Sequence, residues 1–163
     1  MIPIQLETER LTLALRSPAQ VKAAIEAFDP VVREQVSADW LRRVTEAREA
    51  DPWAHGFTLT ERMSGALVGT AGFKAPPDAD GVVEIAYEIA PEHQGRGYAT
   101  EAAQALTIFA FDSGEVRLVR AHTLAERNAS TRVLTKAGFQ FMGEVIDPED
   151  GLVWRWEKRR GET

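Results

Sequence analysis

The stretch from Gly81 to Leu124 constrains this chain most. "VVEIAYEIA" (Val82–Ala90) reads as a strand, and "PEHQGRG" follows as a glycine-bearing loop. A helix then runs from about Gly97 to Asp112, and "VRLVRAHTL" (Val116–Leu124) is a second strand. Strand, helix and strand in that order, with so few residues between them, form a parallel, right-handed crossover. A parallel pair is covered by helices, which points to a mixed α/β domain.

The flanking segments fit around this unit. "ERLTLALR" alternates Leu11, Leu13 and Leu15 with polar or small residues, a strand pattern. Ser17-Pro18 opens a helix to about Phe28, with serine suited to the cap and proline to the first turn. A second helix is expected from about Ser37 to Ala50, closed by Asp51-Pro52. "GFTLTERMSGALVGTAGF" reads as a hairpin turning near Met63-Ser64-Gly65. "NASTRVLTKAGF" is a short helix capped by Gly138, and two final strands flank an acidic turn at Asp147 to Gly151. The expectation is one domain over residues 1–163: a central mixed twisted sheet of about seven strands with about four helices. No repeat, low-complexity tract or linker interrupts it.

The loop between the crossover strand and its helix raises a chemical question. Gly95 and Gly97 flank Arg96 where a simple turn needs one glycine. A helix N-terminus offers unpaired N–H groups and the positive end of the helix dipole. Glycines let an anion approach those groups, because no Cβ intervenes. The amides of Gly95, Arg96, Gly97, Tyr98, Ala99 and Thr100 thus form a candidate pyrophosphate cradle. The chain carries a formal net charge of −6. A phosphorylated ligand must therefore be held by local dipoles against the overall field. The same charge argues against nonspecific nucleic-acid binding.

Two familiar cradles do not fit. Thr100 stands where the dinucleotide fingerprint needs its third glycine, and no Gly-Lys-Ser/Thr ending marks a P-loop. Gln94-x-x-Gly97-x-Ala99 instead resembles the Q/R-x-x-G-x-G/A motif of the GNAT acyl-CoA-dependent N-acetyltransferases. "EIAYEIAPEHQGRGYATEA", "LETERLTLALR" and "NASTRVLTKAGF" are similar to the RimJ/RimL-type branch, whose members acetylate protein N-termini, small amines or antibiotics. The three blocks occur in that family's order and span almost the whole chain.

The resemblance implies the GNAT-like acyl-CoA N-acyltransferase fold and acetyl-CoA (coenzyme A) as co-substrate. It implies that the two crossover strands splay and that pantetheine fills the gap, pairing with the backbone of Ile89. Gln94 belongs to the motif, and Asn128 matches an asparagine that faces pantetheine. The usual N-x-x-S is altered to Asn128-Ala129-Ser130-Thr131, and register from Gly138 favours Ser130 over Thr131. Asn128 also suits a helix N-cap, and both roles are compatible.

Acetyl transfer by direct attack on the thioester needs a neutral amine, a base and an oxyanion donor. Glu84 is the first choice for base, acting through water as in some relatives. Glu88, on the same strand face and nearer the thioester, is the second. Solvated strand charges explain the same pair. For the acid, Leu134 replaces the tyrosine many relatives use, and Ser130 takes the role. Tyr87, on the opposite strand face, reads as core. His55, His93 and His122 are scattered packing or surface residues with no metal-ligand spacing, though His93 adjoins the cradle. Trp154 and Trp156 share a strand face; core and substrate-wall packing both fit, and core is favoured.

Apolar residues make up 44% and charged residues 27% of the chain, and there is no cysteine. That composition excludes a disulfide framework and a thiolate zinc site. No apolar run approaches the ~18 residues of a membrane span, and "MIPIQLETERL" has no secretory pattern. The expectation is a cytoplasmic enzyme, monomer or homodimer, acting on a small-molecule or peptide amine. A GNAT-like module that binds acyl-CoA without turnover is the alternative. An acidic rim (Asp29, Glu34, Asp39, Asp78, Asp80) suits a cationic acceptor or is solvated surface.

Overall fold

A computed structural model describes residues 4–161. Strands β1 (Gln5–Glu7), β2 (Leu11–Leu15), β3 (Phe57–Glu61), β4 (Leu67–Phe73), β5 (Val82–Ile89), β6 (Leu118–Leu124), β7 (Gln140–Asp147) and β8 (Gly151–Arg159) form one sheet. Their order is β1-β2-β3-β4-β5-β6-β8-β7. Every neighbouring pair is antiparallel except β5–β6, the crossover pair. The helices are α1 (Pro18–Glu26), α2 (Pro30–Gln35), α3 (Ala38–Glu46), α4 (Tyr98–Asp112) and α5 (Ala129–Lys136).

Among the described residues, eight strands and five helices exceed the expected seven and four by β1 and α2. β1 has three residues, too few to display an alternation. α2 has six residues and buries none of them, so it carries no apolar period. It is set by chemistry instead: the Asp29 carboxylate accepts from the Val31 amide at 2.8 Å, and Pro30 occupies the first position. α1 starts as expected, with a Ser17–Gln20 capping box. α3 stops at Glu46, not Ala50. Thr45 Oγ1 bonds back to the Leu41 carbonyl at 2.8 Å, which weakens the last turn. Beyond it Arg48-Glu49 offers no apolar face to bury.

The main core lies between the sheet and α4. Leu11, Leu13, Phe57, Leu59, Leu106 and Val119 are fully buried there. Burying each such side chain contributes roughly 1.5–3 kcal/mol. A second cluster joins α1 and α3 through Val21, Ile25, Val44 and Ala54. On β5 the alternation is regular. Val83, Ile85 and Ile89 are buried, while Glu84, Ala86 and Glu88 point the other way. Trp156 lies in the core and Trp154 packs against it, as expected, with Phe141 between 5.1 and 5.3 Å from both rings.

β5 and β6 pair only over Val82–Ile85 and Leu118–Ala121. Beyond that point β6 stays paired to β8 as far as Leu124, and β5 to β4 as far as Ile89. The two parallel strands therefore separate, and a groove opens between them.

Candidate active site

The groove is a cavity of about 690 Å³ bounded by the free end of β5, the loop after it, the first turn of α4 and the start of α5. Gly95 (φ +79°) and Gly97 (φ +86°) both adopt left-handed backbone that disfavours any residue with a Cβ. Gly97 caps α4, and the first intrahelical bond runs from the Glu101 amide to its carbonyl at 3.2 Å. The amides of Tyr98, Ala99 and Thr100 thus precede the first helical partner, and these three residues line the cavity.

This end is tied to the distant N-terminal strands. Glu101 accepts from Thr8 Oγ1 at 2.6 Å, from the Arg10 amide at 3.0 Å and from the Arg10 guanidinium at 2.5 Å. Burial acts to raise its pKa, but those donors outweigh it and hold the carboxyl below the usual range. The Arg10 guanidinium lies 4.9 Å from the Tyr98 ring centroid. It also sits beside Gly97, so that a Cβ there would fall 2.8 Å from its terminal nitrogen. The Tyr98 hydroxyl donates to Glu61 on β3.

Glu88, Ile89, Gln94, Gly95, Gly97, Tyr98, Ala99, Thr100, Asn128 and Ser130 are brought together around the groove. The exposed Arg96 side chain does not line it; its charge acts on Glu61 and Tyr98. Gln94 Nε2 donates to the Ile89 carbonyl at 2.9 Å, bracing the loop against the strand end. Asn128 caps α5 in a reciprocal box with Thr131: its Oδ1 accepts from the Thr131 amide at 3.2 Å, and its own amide donates to Thr131 Oγ1 at 3.1 Å. Thr131 is buried by that box, and Ser130 faces the groove.

Tyr87 differs from its expected place. It packs against the core but also lines the groove, as Ser130 does. Burial raises its pKa, more than the Ser130 contact lowers it, so the hydroxyl keeps its proton. Arg132 and Lys136, one turn apart on α5, add positive charge to the groove wall. The i, i+4 spacing was the sequence signal for that pair. Nothing local signalled Arg10, whose partner lies 91 residues away.

Glu84 lies apart from Glu88. The Lys74 ammonium reaches Glu84 at 2.9 Å and Asp150 at 2.8 Å. Burial pulls the Lys74 pKa down, but the two carboxylates outweigh it and leave it raised above the ordinary lysine value. His122 Nδ1 is 3.3 Å from Glu84 Oε2. A small cavity of about 270 Å³, with Trp40 of α3 and Phe73 of β4 on its walls, shares Tyr87 and Glu88 with the groove. Among the described residues no helix is long and apolar enough to cross a membrane.

A splayed parallel pair beside a left-handed glycine cradle is the architecture of an acyl-CoA-dependent acetyltransferase, and comparisons agree. Residues 2–140 match the family model described as an acetyltransferase (GNAT) domain, and the chain belongs to that family. The uncharacterized N-acetyltransferase p20 of Bacillus licheniformis is 26% identical, over 96% of this chain and 89% of its own length. A GNAT-family acetyltransferase of Bacillus anthracis superposes with a TM-score of 0.69 at 20% identity, covering 98% of this chain and 100% of the other. The aminoglycoside acetyltransferase AAC(6')-Ib, solved with coenzyme A and kanamycin, superposes at 0.64 and 21% identity, covering 92% and 95%. Acetyl-CoA is the co-substrate of this family. The groove fits it: free strand edges match the amides of a pantetheine arm, and two glycines leave the cradle open to a diphosphate.

Proposed function

We propose that this chain is an N-acetyltransferase of the RimJ/RimL-like branch, acetylating a primary amine by direct transfer. The observation that carries this reading is the junction of two cavities at Tyr87 and Glu88. One holds the features of a coenzyme A site, and the other leaves room for an acceptor beside it.

Acetyl-CoA supplies an acyl group activated as a thioester. The amides of residues 95–100, with Arg132 and Lys136, hold its phosphates; the Ile89 backbone and Asn128 flank the arm. Glu88 faces both cavities and removes the proton of the incoming ammonium. It is favoured over Glu84, which is engaged by Lys74. Ser130 Oγ, backed by the protonated Tyr87 hydroxyl, holds the proton for the leaving sulfur. A thiol pKa near ~8.5 asks for only a modest donor.

The test is thiol release and product mass with acetyl-CoA against N-terminal peptides, diamines and aminoglycosides. Acetylated product from at least one amine is expected. Calorimetric binding of acetyl-CoA without turnover on any acceptor would overturn the reading in favour of a binding module.

A further inference from the structure

The small cavity beside Glu88 continues along β5 into a larger one of about 730 Å³, sharing Trp40, Phe73 and Lys74 with it. Phe28, Trp40 and Phe73 give the passage aromatic walls. Trp40 is held in place by its Nε1 donating to the Ala54 carbonyl at 2.7 Å. The far end is acidic. Glu84, Asp147, Glu149 and Asp150 line it, the last three from the β7–β8 turn. Of the rim suggested by sequence, only Asp39 and Asp78 line this cavity, and Asp39 is paired with Arg42 and Arg43.

His122 makes this end more than a cluster of acids. Its side chain is only 4% exposed, and its Nδ1 has no hydrogen-bond partner. That atom points between Glu84 Oε2 at 3.3 Å and Asp147 Oδ1 at 3.9 Å. Nε2 accepts from Arg155 Nε at 3.1 Å, so the single ring proton sits on Nδ1. Nδ1 therefore has no lone pair for a metal, although Glu84, His122 and Asp147 present atoms within 4.8 Å of one another. Of the cations lining this cavity, Arg43 and Arg120 are paired with Asp39 and Glu157, and the Lys74 ammonium is hydrogen-bonded between Glu84 and Asp150. These carboxylates thus suit ammonium groups, and among the described residues neither Asp147 nor Glu149 has a lysine or arginine within ion-pair distance, although His122 Nδ1 lies 3.9 Å from Asp147.

From this arrangement we infer that the acceptor is an elongated diamine. Its reacting nitrogen lies by Glu88, its methylene chain runs past Trp40 and Phe73, and its second ammonium is held by Asp147 and Glu149, beside Glu84. The inference rests on the acceptor cavity assigned under the proposed function. Four residue steps along the strand lead from Glu84 to Glu88, a span of about 13 Å, so the two nitrogens should be separated by a comparable length. Aromatic walls favour the chain by burial and the ammonium by its charge.

The test compares diaminooctane with the amino-octanol that carries a hydroxyl in place of the second ammonium. Turnover with acetyl-CoA and calorimetric binding are both measured at moderate salt. At least tenfold higher kcat/KM for the diamine is expected, and no comparable gain for diaminopropane over propylamine, which is too short to reach. Asp147→Asn keeps an acceptor for the amides of Glu149 and Asp150. It should reduce the diamine-to-alcohol ratio to about threefold or less. Equal kcat/KM for the two eight-carbon compounds overturns the distal site while leaving amine acetylation intact. If neither compound is acetylated, binding decides the distal site: tenfold tighter binding of the diamine supports it, equal affinity overturns it.

Discussion

Replacing Gly97 and Gly95 separately by alanine tests how the cradle is built. Both glycines are left-handed, and placing a Cβ residue there costs about 1–2 kcal/mol. At Gly95 no heavy atom lies within 4 Å of the added Cβ, so strain is the whole cost. At Gly97 the Cβ would meet the Arg10 guanidinium at 2.8 Å. Arg10 cannot swing away freely, because it is paired with Glu101 and stacked on Tyr98. Displacing it forfeits a partly exposed ion pair worth up to about 1 kcal/mol. Gly97→Ala is therefore expected to cost up to about 1 kcal/mol more than Gly95→Ala, about 1–3 kcal/mol against 1–2, using the same estimates. For a chain of this size each 1 kcal/mol is about 2–4 °C in Tm. The assay is denaturant unfolding of each variant, alone and combined with Arg10→Ala. In the Arg10→Ala background the cost at Gly97 should fall to that at Gly95. A Gly97→Ala cost no greater than that of Gly95→Ala, or one unchanged by removing Arg10, would refute the reasoning. In kinetics, Gly97→Ala should raise the acetyl-CoA KM about tenfold, and Gly97→Glu should abolish binding by placing a like charge in the cradle.

Ser130→Ala should lower kcat by roughly ten- to a hundredfold with little change in stability. Thr131→Ala should do the reverse, losing the capping partner of Asn128 at about 1 kcal/mol with kcat little changed; single-turnover rates and unfolding curves check both. Glu88→Gln should lower kcat/KM by roughly a hundredfold or more, whereas an unchanged kcat/KM would send the base's role back to Glu84. His55 is fully buried, and burial lowers its pKa. The unfolded chain then binds the extra proton, so this contribution to stability should fade as pH drops through about 6.5, the unfolded value. A His55→Asn variant should flatten that part of the Tm profile between pH 7 and 6, and an identical slope in both proteins would contradict it.

The crossover, its glycine loop and the Asn128 cap were legible because each rests on local chemistry: alternation, left-handed backbone and a short side chain reaching its own helix. β1 and α2 are too short for a period to show. Tyr87 was placed correctly on the face opposite Glu88, but that face was taken as core throughout. Where β5 leaves β6, the same face becomes the wall of a groove, and a period of two carries no sign of the separation. The Lys74 bridge to Glu84 and Asp150 escaped for a different reason. Its turn partner is 76 residues away and becomes a neighbour only through the order of strands. The site's backbone was readable, and its charge pairing was not.

The separation of β5 from β6 gives the protein a slot in its own sheet. Only four residue pairs stitch β1–β5 to β6–β8 across that seam. A co-substrate whose amides complete the ladder would act as a temporary ninth strand, binding the folded chain and not the unfolded one. The melting temperature should then climb with acetyl-CoA concentration, and the amides of residues 86–89 should be among those whose hydrogen exchange slows most. Supply of the acyl donor would thereby govern how long each copy of the catalyst survives as well as how fast it works.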